Sequence, residues 1–125
     1  MFELMVTTHF EAAHCIPNYP GKCARLHGHN WTVEVCVGSK TLNELGMVMD
    51  FKLLKKDIGV VTERLDHHYL NEMDIWRETP PTAEHIAWYI FRELKDLLLS
   101  RGEKISLLHI KVWESQGSAA LYREA

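Results

Sequence analysis

Three of the eight histidines in this 125-residue sequence, His14, His27 and His29, lie within sixteen residues of each other. His27 and His29 flank a glycine at the entry to a predicted strand, where alternate side chains point the same way, so both imidazoles can reach one metal ion. His14, across a long predicted connection, could supply a third. Three histidines with a water are the ligands of a catalytic zinc site. Two solvated loop histidines are the alternative interpretation of the His-Gly-His segment alone.

Cys23 lies four residues before the His-Gly-His segment. A thiol close to imidazoles or a metal can have a lowered pKa and act as a base or nucleophile. It could instead be a fourth zinc ligand, which would make the site structural, or a small buried hydrophobic residue. We interpret Cys15 and Cys36 as buried residues of that last kind.

Two further groups could carry acid–base or binding chemistry. Asp66 and His67 follow the first predicted helix, and an aspartate next to a histidine in space can orient it for proton transfer. The alternative is a helix end carrying histidines that favour its dipole. Glu114 closes a predicted strand, where its carboxylate could accept two N–H bonds from a guanidine-like ring edge, as in a pterin or guanine; a solvated glutamate is the alternative.

The hydrophobic pattern predicts the elements that must position these residues. Segments in which apolar residues alternate with polar ones are predicted to be strands. Segments in which apolar residues recur about every 3.6 residues are predicted to be helices, and Asp50 and Thr82 precede them as caps. Residues 11–29 are predicted to form a connection. The predicted strands are 2–10, 30–38, 105–114 and 119–124, and the predicted helices are 51–65 and 82–100. The order ββααββ predicts one α+β domain over 1–125, with an antiparallel four-stranded sheet and both helices on one face.

Composition excludes several classes of protein. A net charge of −3 does not suit a nucleic-acid partner, and no apolar run is long enough to cross a membrane. The first ten residues do not form a secretory signal, and three cysteines do not suggest a disulfide framework. We therefore expect a cytoplasmic location. An open sheet leaves two edges to be paired or covered, which favours a homo-oligomer.

Six segments, in this order, resemble the 6-pyruvoyl-tetrahydropterin synthase and 6-carboxytetrahydropterin synthase family over nearly the whole chain. They are Phe10-Glu11-Ala12-Ala13-His14, Cys23-Ala24-Arg25-Leu26-His27-Gly28-His29-Asn30, Gly46-Met47-Val48-Met49-Asp50-Phe51, Leu65-Asp66-His67, Pro81-Thr82-Ala83-Glu84 and Glu114-Ser115.

The resemblance implies the tunnelling fold (T-fold) and a set of roles. His14, His27 and His29 would bind Zn²⁺, and Cys23 would accept a proton. Asp66 and His67 would form a relay for a second proton, and Glu114 would anchor the pterin ring, with Thr82 assisting. It also implies trimers that close their sheets into a barrel, stacked in pairs as hexamers, with active sites at subunit boundaries.

The spacing before the metal pair separates branches of this family. Three residues lie between Cys23 and His27, which resembles the 6-carboxy-5,6,7,8-tetrahydropterin synthase of queuosine (7-deazapurine) biosynthesis. This lyase would convert 7,8-dihydroneopterin triphosphate to 6-carboxytetrahydropterin, acetaldehyde and triphosphate. The alternatives are the 6-pyruvoyl-tetrahydropterin synthase, which eliminates triphosphate from the same substrate, and a non-catalytic zinc- or pterin-binding module.

Overall fold

The computed structural model describes residues 1–18, 20–21, 25–102 and 104–124. Its regular elements follow the predicted order, with additions between the two helices. The strands are β1 (Phe2–His14), β2 (His27–Ser39), β3 (His68–Tyr69), β4 (Ser106–Ser115) and β5 (Ser118–Tyr122). The helices are α1 (Phe51–Thr62) and α2 (Ala83–Leu99), and two short 3₁₀ turns cover Leu70–Glu72 and Asp74–Trp76.

The sheet has five strands in the order β3-β1-β2-β4-β5, so the prediction of a four-stranded antiparallel sheet was wrong. The four long strands are antiparallel neighbours, but β3 pairs in parallel with β1, with Ala12 opposite His68 and Ala13 opposite Tyr69. A two-residue strand contains too few residues to show a period of two. Its pairing depends on the path of the chain after α1, which local pattern does not reveal.

The first two strands are longer than predicted. β1 and β2 stay in register from Phe2 opposite Ser39 to His14 opposite His27, so the predicted connection over 11–29 was wrong and shortens to 15–26. The additional pairs continue the ladder into the histidine motif. As a result, the candidate metal ligands lie on strands rather than in a loop.

One face of the sheet shares a single core with both helices. The predicted strand residues Trp31, Val33, Val35 and Val37 are all fully buried in that core. From α1 and the turn after it come Leu54, Ile58, Val61 and Leu65, and from α2 come Ile86, Ile90 and Leu94, each at most 1% exposed. The amphipathic stripes therefore identified the core-facing sides of the helices.

Simple alternation of side chains along β4 fails at its start. Cys36 lies opposite His109, but the next residue, Val37, lies opposite Leu107, because the register shifts at a bulge between Cys36 and Val37. Leu107 packs on the core instead of Leu108, whose Cδ1 lies over Gly38, 2.8 Å from where a Cβ would stand there. One extra residue in a strand reverses the side chains beyond it, and sequence periodicity does not show this.

Both predicted helix caps are present. The Asp50 carboxylate accepts the Lys52 N–H at 2.8 Å, and the Thr82 hydroxyl accepts the His85 N–H at 3.2 Å. α1 ends at Thr62, three residues before the predicted end, and its last turn continues as hydrogen-bonded turns to Asp66. Among the described residues, no helix combines the length and apolar character that crossing a membrane requires.

Candidate metal centre and histidine–aspartate pair

The three clustered histidines meet on the core side of the sheet. On β1, His14 follows Ala12 and Phe10 on that face, and on β2, His27 and His29 precede the buried Trp31. The ring centroids are 4.6 Å apart for His14 and His27, 5.2 Å for His14 and His29, and 4.5 Å for His27 and His29. The site is the polar end of the face that elsewhere forms the core.

Backbone carbonyls orient two of the imidazoles. His14 Nδ1 donates to the Pro81 carbonyl at 2.8 Å, and His27 Nδ1 donates to the Arg25 carbonyl at 2.6 Å. When Nδ1 carries the proton, Nε2 keeps a free lone pair, which is how metal-binding histidines are held. Among the described residues, the buried Nε2 atoms of His14 and His29 have no hydrogen-bond partner. Buried nitrogens without a partner are costly unless they serve a ligand.

Glu114 adds a fourth donor to this cluster. It continues the core-facing positions of β4 after Ile110 and Val112, and its Oε1 lies 3.1 Å from His29 Nε2, without the alignment of a hydrogen bond. One donor atom from each of His14, His27, His29 and Glu114 can be chosen so that all lie within 4.8 Å of one another. Donors on a tetrahedral ion with bonds of about 2.0 Å are about 3.3 Å apart, so the cluster fits a metal ion.

Burial favours the neutral imidazoles that a metal requires. It lowers the pKa of His14 below the usual histidine value, although the Pro81 carbonyl and Glu114 oppose the shift. It also lowers the pKa of His29, again against the Glu114 charge. A protonated ring cannot bind a cation, so both shifts favour metal binding. Imidazole nitrogens with a carboxylate oxygen suit zinc among the common divalent ions.

Asp66 and His67 form a contact pair outside this cluster. Asp66 Oδ2 lies 3.0 Å from His67 Nδ1, and Asp66 Oδ1 accepts the Glu11 N–H at 2.8 Å. The Glu11 N–H, then His67, lowers the pKa of Asp66, and Asp66 raises the pKa of His67, with a smaller contribution from Glu11. The predicted neighbours therefore contact each other, in the geometry of an oriented acid–base group.

The pair and the metal cluster lie on different sides of the sheet. His67 Nε2 is 3.2 Å from Glu11 Oε2, and Glu11 alternates with the core-facing Ala12 on β1, so its side chain projects from the open face. His67 does not belong to the metal-binding cluster found among the described residues. The resemblance assigns the metal cluster and the Asp66–His67 pair to one reaction, but within a single chain they lie on different sides of the sheet.

The remaining predicted site residues have separate positions. Thr82 caps α2 through its hydroxyl, next to the Pro81 carbonyl that holds His14. Cys23, the predicted proton acceptor, lies outside the described residues. Of the other two cysteines, Cys36 is buried, which raises the pKa of its thiol to about 11, and Cys15 is half-buried with its Sγ 3.3 Å from the Tyr69 hydroxyl.

Sequence reasoning missed the groups that orient the site. Backbone carbonyls at Pro81 and Arg25 have no sequence signature, because every residue carries one. Glu11 carries no signal of its own in the sequence, and its contacts depend on β3 returning to pair with β1. The predicted strand ended at residue 10, so Glu11 fell in the predicted connection, and only the longer observed β1 places it on the face opposite Phe10.

Together, the order of elements and the three-histidine cluster define a tunnelling-fold protein with a candidate metal centre. The chain belongs to the 6-pyruvoyl tetrahydropterin synthase family, whose sequence profile matches residues 3–125. It is 42% identical over 118 residues to the 6-carboxy-5,6,7,8-tetrahydropterin synthase of Synechocystis sp., covering 90% of this chain and 86% of that protein.

Two further comparisons agree with this family. The 6-carboxy-5,6,7,8-tetrahydropterin synthase of Bacillus subtilis is 33% identical over 127 residues, covering 98% of this chain and 85% of that protein. The structure of Caenorhabditis elegans 6-pyruvoyl tetrahydropterin synthase superposes with a TM-score of 0.87 at 26% identity, covering 99% of this chain and 96% of that one. The fold and the family thus extend over the whole chain.

Proposed function

We propose that this protein is a zinc-dependent 6-carboxy-5,6,7,8-tetrahydropterin synthase, a lyase that acts on 7,8-dihydroneopterin triphosphate. With one water consumed, its products would be 6-carboxytetrahydropterin, acetaldehyde and triphosphate, in the cytoplasmic pathway to queuosine. The names of the Synechocystis and Bacillus relatives support this choice. The three residues between Cys23 and His27 support it independently.

The observation that carries the proposal is the convergence of His14, His27 and His29, with the buried Nε2 atoms of His14 and His29 lacking a hydrogen-bond partner among the described residues. A structural zinc site is closed by four protein ligands, commonly thiolates, whereas a catalytic site leaves a position for substrate. Zinc bound here would supply Lewis-acid polarisation of the substrate's side-chain hydroxyls. The redox change would stay within the dihydropterin, so no second cofactor is required.

The protein side chains would move the protons. Cys23, as a thiolate, would remove a proton from the substrate side chain. His67, oriented by Asp66 at 3.0 Å, would exchange another. Glu114 would accept two N–H bonds from the pterin ring edge, and its half-buried position beside the histidines would bring that ring against the metal. Thr82, at the start of α2, would assist ring binding.

Assembly would bring the separated groups together. Beyond β3, most of the outer edge of β1 is unpaired among the described strands, as is the outer edge of β5. Pairing these edges between copies would close three sheets into a barrel, and two such trimers would stack as a hexamer. The Asp66–His67 pair, on the side opposite the metal cluster, would then serve the site of a neighbouring chain.

The test is to incubate the zinc-loaded protein with 7,8-dihydroneopterin triphosphate and to measure acetaldehyde and the pterin product. Acetaldehyde released in step with 6-carboxytetrahydropterin is the expected result. A His27→Ala variant, lacking one metal ligand, should release neither product. A His109→Ala variant is the matched control, because His109 lies on the open face and pairs with Glu34 at 2.9 Å.

Two outcomes would contradict this assignment. Release of triphosphate without acetaldehyde would place the protein with the 6-pyruvoyl branch, whose Caenorhabditis elegans member shares the fold. Binding of a dihydropterin without turnover would indicate a zinc- or pterin-binding module. Because all three functions use the same cluster, measuring both products is necessary to distinguish them.

A further inference from the structure

Glu11 contacts the Asp66–His67 pair through three separate groups. Its backbone N–H donates to Asp66 Oδ1 at 2.8 Å, and its carbonyl accepts the His67 N–H at 2.5 Å. Its own carboxylate Oε2 lies 3.2 Å from His67 Nε2. Any residue at this position could make the two backbone contacts. The carboxylate contact is specific to a glutamate here.

The His67 ring lies between two carboxylates. Asp66 Oδ2 is 3.0 Å from Nδ1, and Glu11 Oε2 is 3.2 Å from Nε2. Both carboxylates lie at ion-pair distance, and a negative charge on each side of the ring favours its protonated, positively charged form. In the metal cluster, by contrast, the Nδ1 atoms of His14 and His27 donate to backbone carbonyls and not to carboxylates.

We propose that Glu11 is a positioning residue for the His67 relay and that it holds this ring as an imidazolium, so that His67 begins turnover as a proton donor. The role of His67 in the reaction rests on the proposed function. The protonation state of its ring does not depend on that function. In the donating step the Nε2–H bond breaks, its electron pair stays on the ring, and the proton forms a new bond on the dihydropterin. The neutral ring keeps its Nδ1–H toward Asp66 and regains the lost proton from water.

The backbone at His67 supports a positioning role. His67 has φ of +58°, a left-handed conformation that is uncommon for a residue with a side chain. Such conformations persist where surrounding contacts hold them, and they cluster at functional sites. Here the contacts come from the Glu11 carbonyl and from the parallel pairing of β3 with β1.

The contact between the Glu11 and His67 side chains is also exposed to solvent and can be displaced. The side chains of His67 and Glu11 are 72% and 61% exposed, and exposed ion pairs are weak enough for a substrate to displace. A cleft of about 500 Å³ borders the pair, and its other titratable lining residues are His29, His68 and Tyr69. Among the described residues, only the two carboxylates lie within ion-pair distance of the His67 ring.

The test is a histidine NMR titration of the zinc-loaded assembly without substrate, comparing wild type with Glu11→Gln. Glutamine keeps the size and both backbone contacts but loses the negative charge. We expect both nitrogens of wild-type His67 to be protonated at pH 6.5 and the ring to titrate at a lower pH in the variant. Glu11→Asp should restore part of the shift. Glu3→Gln, on the same strand and face, should leave the His67 titration unchanged.

Kinetics provide the second readout. The alkaline limb of the kcat/KM profile should move to lower pH in Glu11→Gln, because the donor is lost earlier. An unchanged His67 titration in Glu11→Gln, or a wild-type ring that carries one proton at pH 6.5, would overturn the inference. Failure of the acetaldehyde assay would instead contradict the proposed reaction, since the titration requires no turnover.

Discussion

His14 and His27 face each other as the last cross-strand pair of the β1–β2 ladder, with ring centroids 4.6 Å apart. The same register places His29 opposite Ala12, two residues further from the strand end. A small residue opposite His29 leaves space for three imidazoles to converge. The ladder that organises the core therefore also sets the spacing of the candidate metal centre.

Removing one of these imidazoles should abolish stoichiometric metal binding. Residues that only orient metal ligands commonly cost about 10- to 100-fold in affinity when replaced, so His27→Ala should cost more. The measurement is zinc content per chain by elemental analysis after dialysis, with affinity by chelator competition. His109→Ala should retain wild-type zinc. Full zinc content in His27→Ala would refute a three-histidine centre.

Much of this site follows from the sequence by way of strand periodicity. His27 and His29 share a face with Trp31 because residues two apart in a strand do so, and this alternation was visible before the structure. The position of His14 required a further fact, the register of β1 on β2. That register is set by burial of the whole strand face and not by any local signal.

Other parts could not be predicted in this way. The contacts of Glu11 depend on β3, whose two residues form no readable period. Glu114 was predicted to anchor a ring, but its approach to His29 depends on the pairing of β4 with β2, which the pattern of β4 alone does not reveal. Such features depend on long-range pairing, which neighbouring residues in the sequence do not determine.

Replacing Glu114 should separate substrate binding from metal binding. A hydrogen bond to a charged group is worth about 1.5–3 kcal/mol, so Glu114→Gln should raise KM for the dihydropterin by about tenfold or more. Three imidazoles remain, so the variant should still hold one zinc per chain. Calorimetric titration with zinc, and separately with 6-carboxytetrahydropterin, measures the two effects. Loss of zinc with unchanged pterin affinity would assign Glu114 to the metal alone.

The Asp66–His67 contact should give a pH-dependent contribution to stability. The pKa of His67 is raised above 6.5, so its contribution is complete below that pH and is lost as pH rises through the folded-state value. The pKa of Asp66 is lowered below 3.8, so its contribution is complete above that pH and is lost as pH falls. The difference in Tm between wild type and Asp66→Asn should therefore be largest between about pH 4 and 6.5.

Both groups are exposed, so that difference in Tm should be small. Thermal unfolding followed by circular dichroism across pH 3–9 measures it. Asp74→Asn is a suitable control, because Asp74 pairs with Arg77 in an exposed contact away from the histidines. A difference in Tm that stays constant across this range would show that the two charges do not interact.

Asn71 should stabilise the position of His14 through the peptide that follows it. Its side-chain amide accepts the Cys15 N–H at 2.9 Å and donates to the Cys15 carbonyl at 2.9 Å. Asn71→Ala should cost about 2 kcal/mol in unfolding free energy, about 1 kcal/mol for each bond. Zinc affinity should fall by up to about tenfold, because β1 loses support next to its ligand.

Asn71→Asp is the matched variant for the two hydrogen bonds between Asn71 and Cys15. It keeps the acceptor for the Cys15 N–H but loses the donor to the Cys15 carbonyl. Its unfolding free energy and zinc affinity should therefore lie between those of wild type and Asn71→Ala. Urea unfolding and chelator competition on the same samples measure stability and zinc affinity. Unchanged zinc affinity in both variants would limit Asn71 to a role in folding.

Trp31 should couple the stability of the core to the metal centre. Its fully buried ring lies 4.9 Å from His14 and 5.3 Å from His29 between centroids, and its Nε1 donates to the Ala12 carbonyl at 3.2 Å. Trp31→Phe loses this bond and part of the ring volume, so it should reduce the unfolding free energy by about 1–3 kcal/mol. The cavity left beneath the imidazoles should also weaken zinc binding.

Urea unfolding with and without excess zinc separates these two effects. At a fixed zinc concentration, the stability that zinc adds rises with the logarithm of its affinity for the folded state, so the zinc-dependent gain should be smaller in Trp31→Phe than in wild type. Trp88→Phe is the control, because Trp88 is half-buried on α2, where Arg92 lies 4.5 Å over its ring. An equal zinc-dependent gain in Trp31→Phe and wild type would mean that the core and the metal centre are energetically independent, despite their shared sheet face.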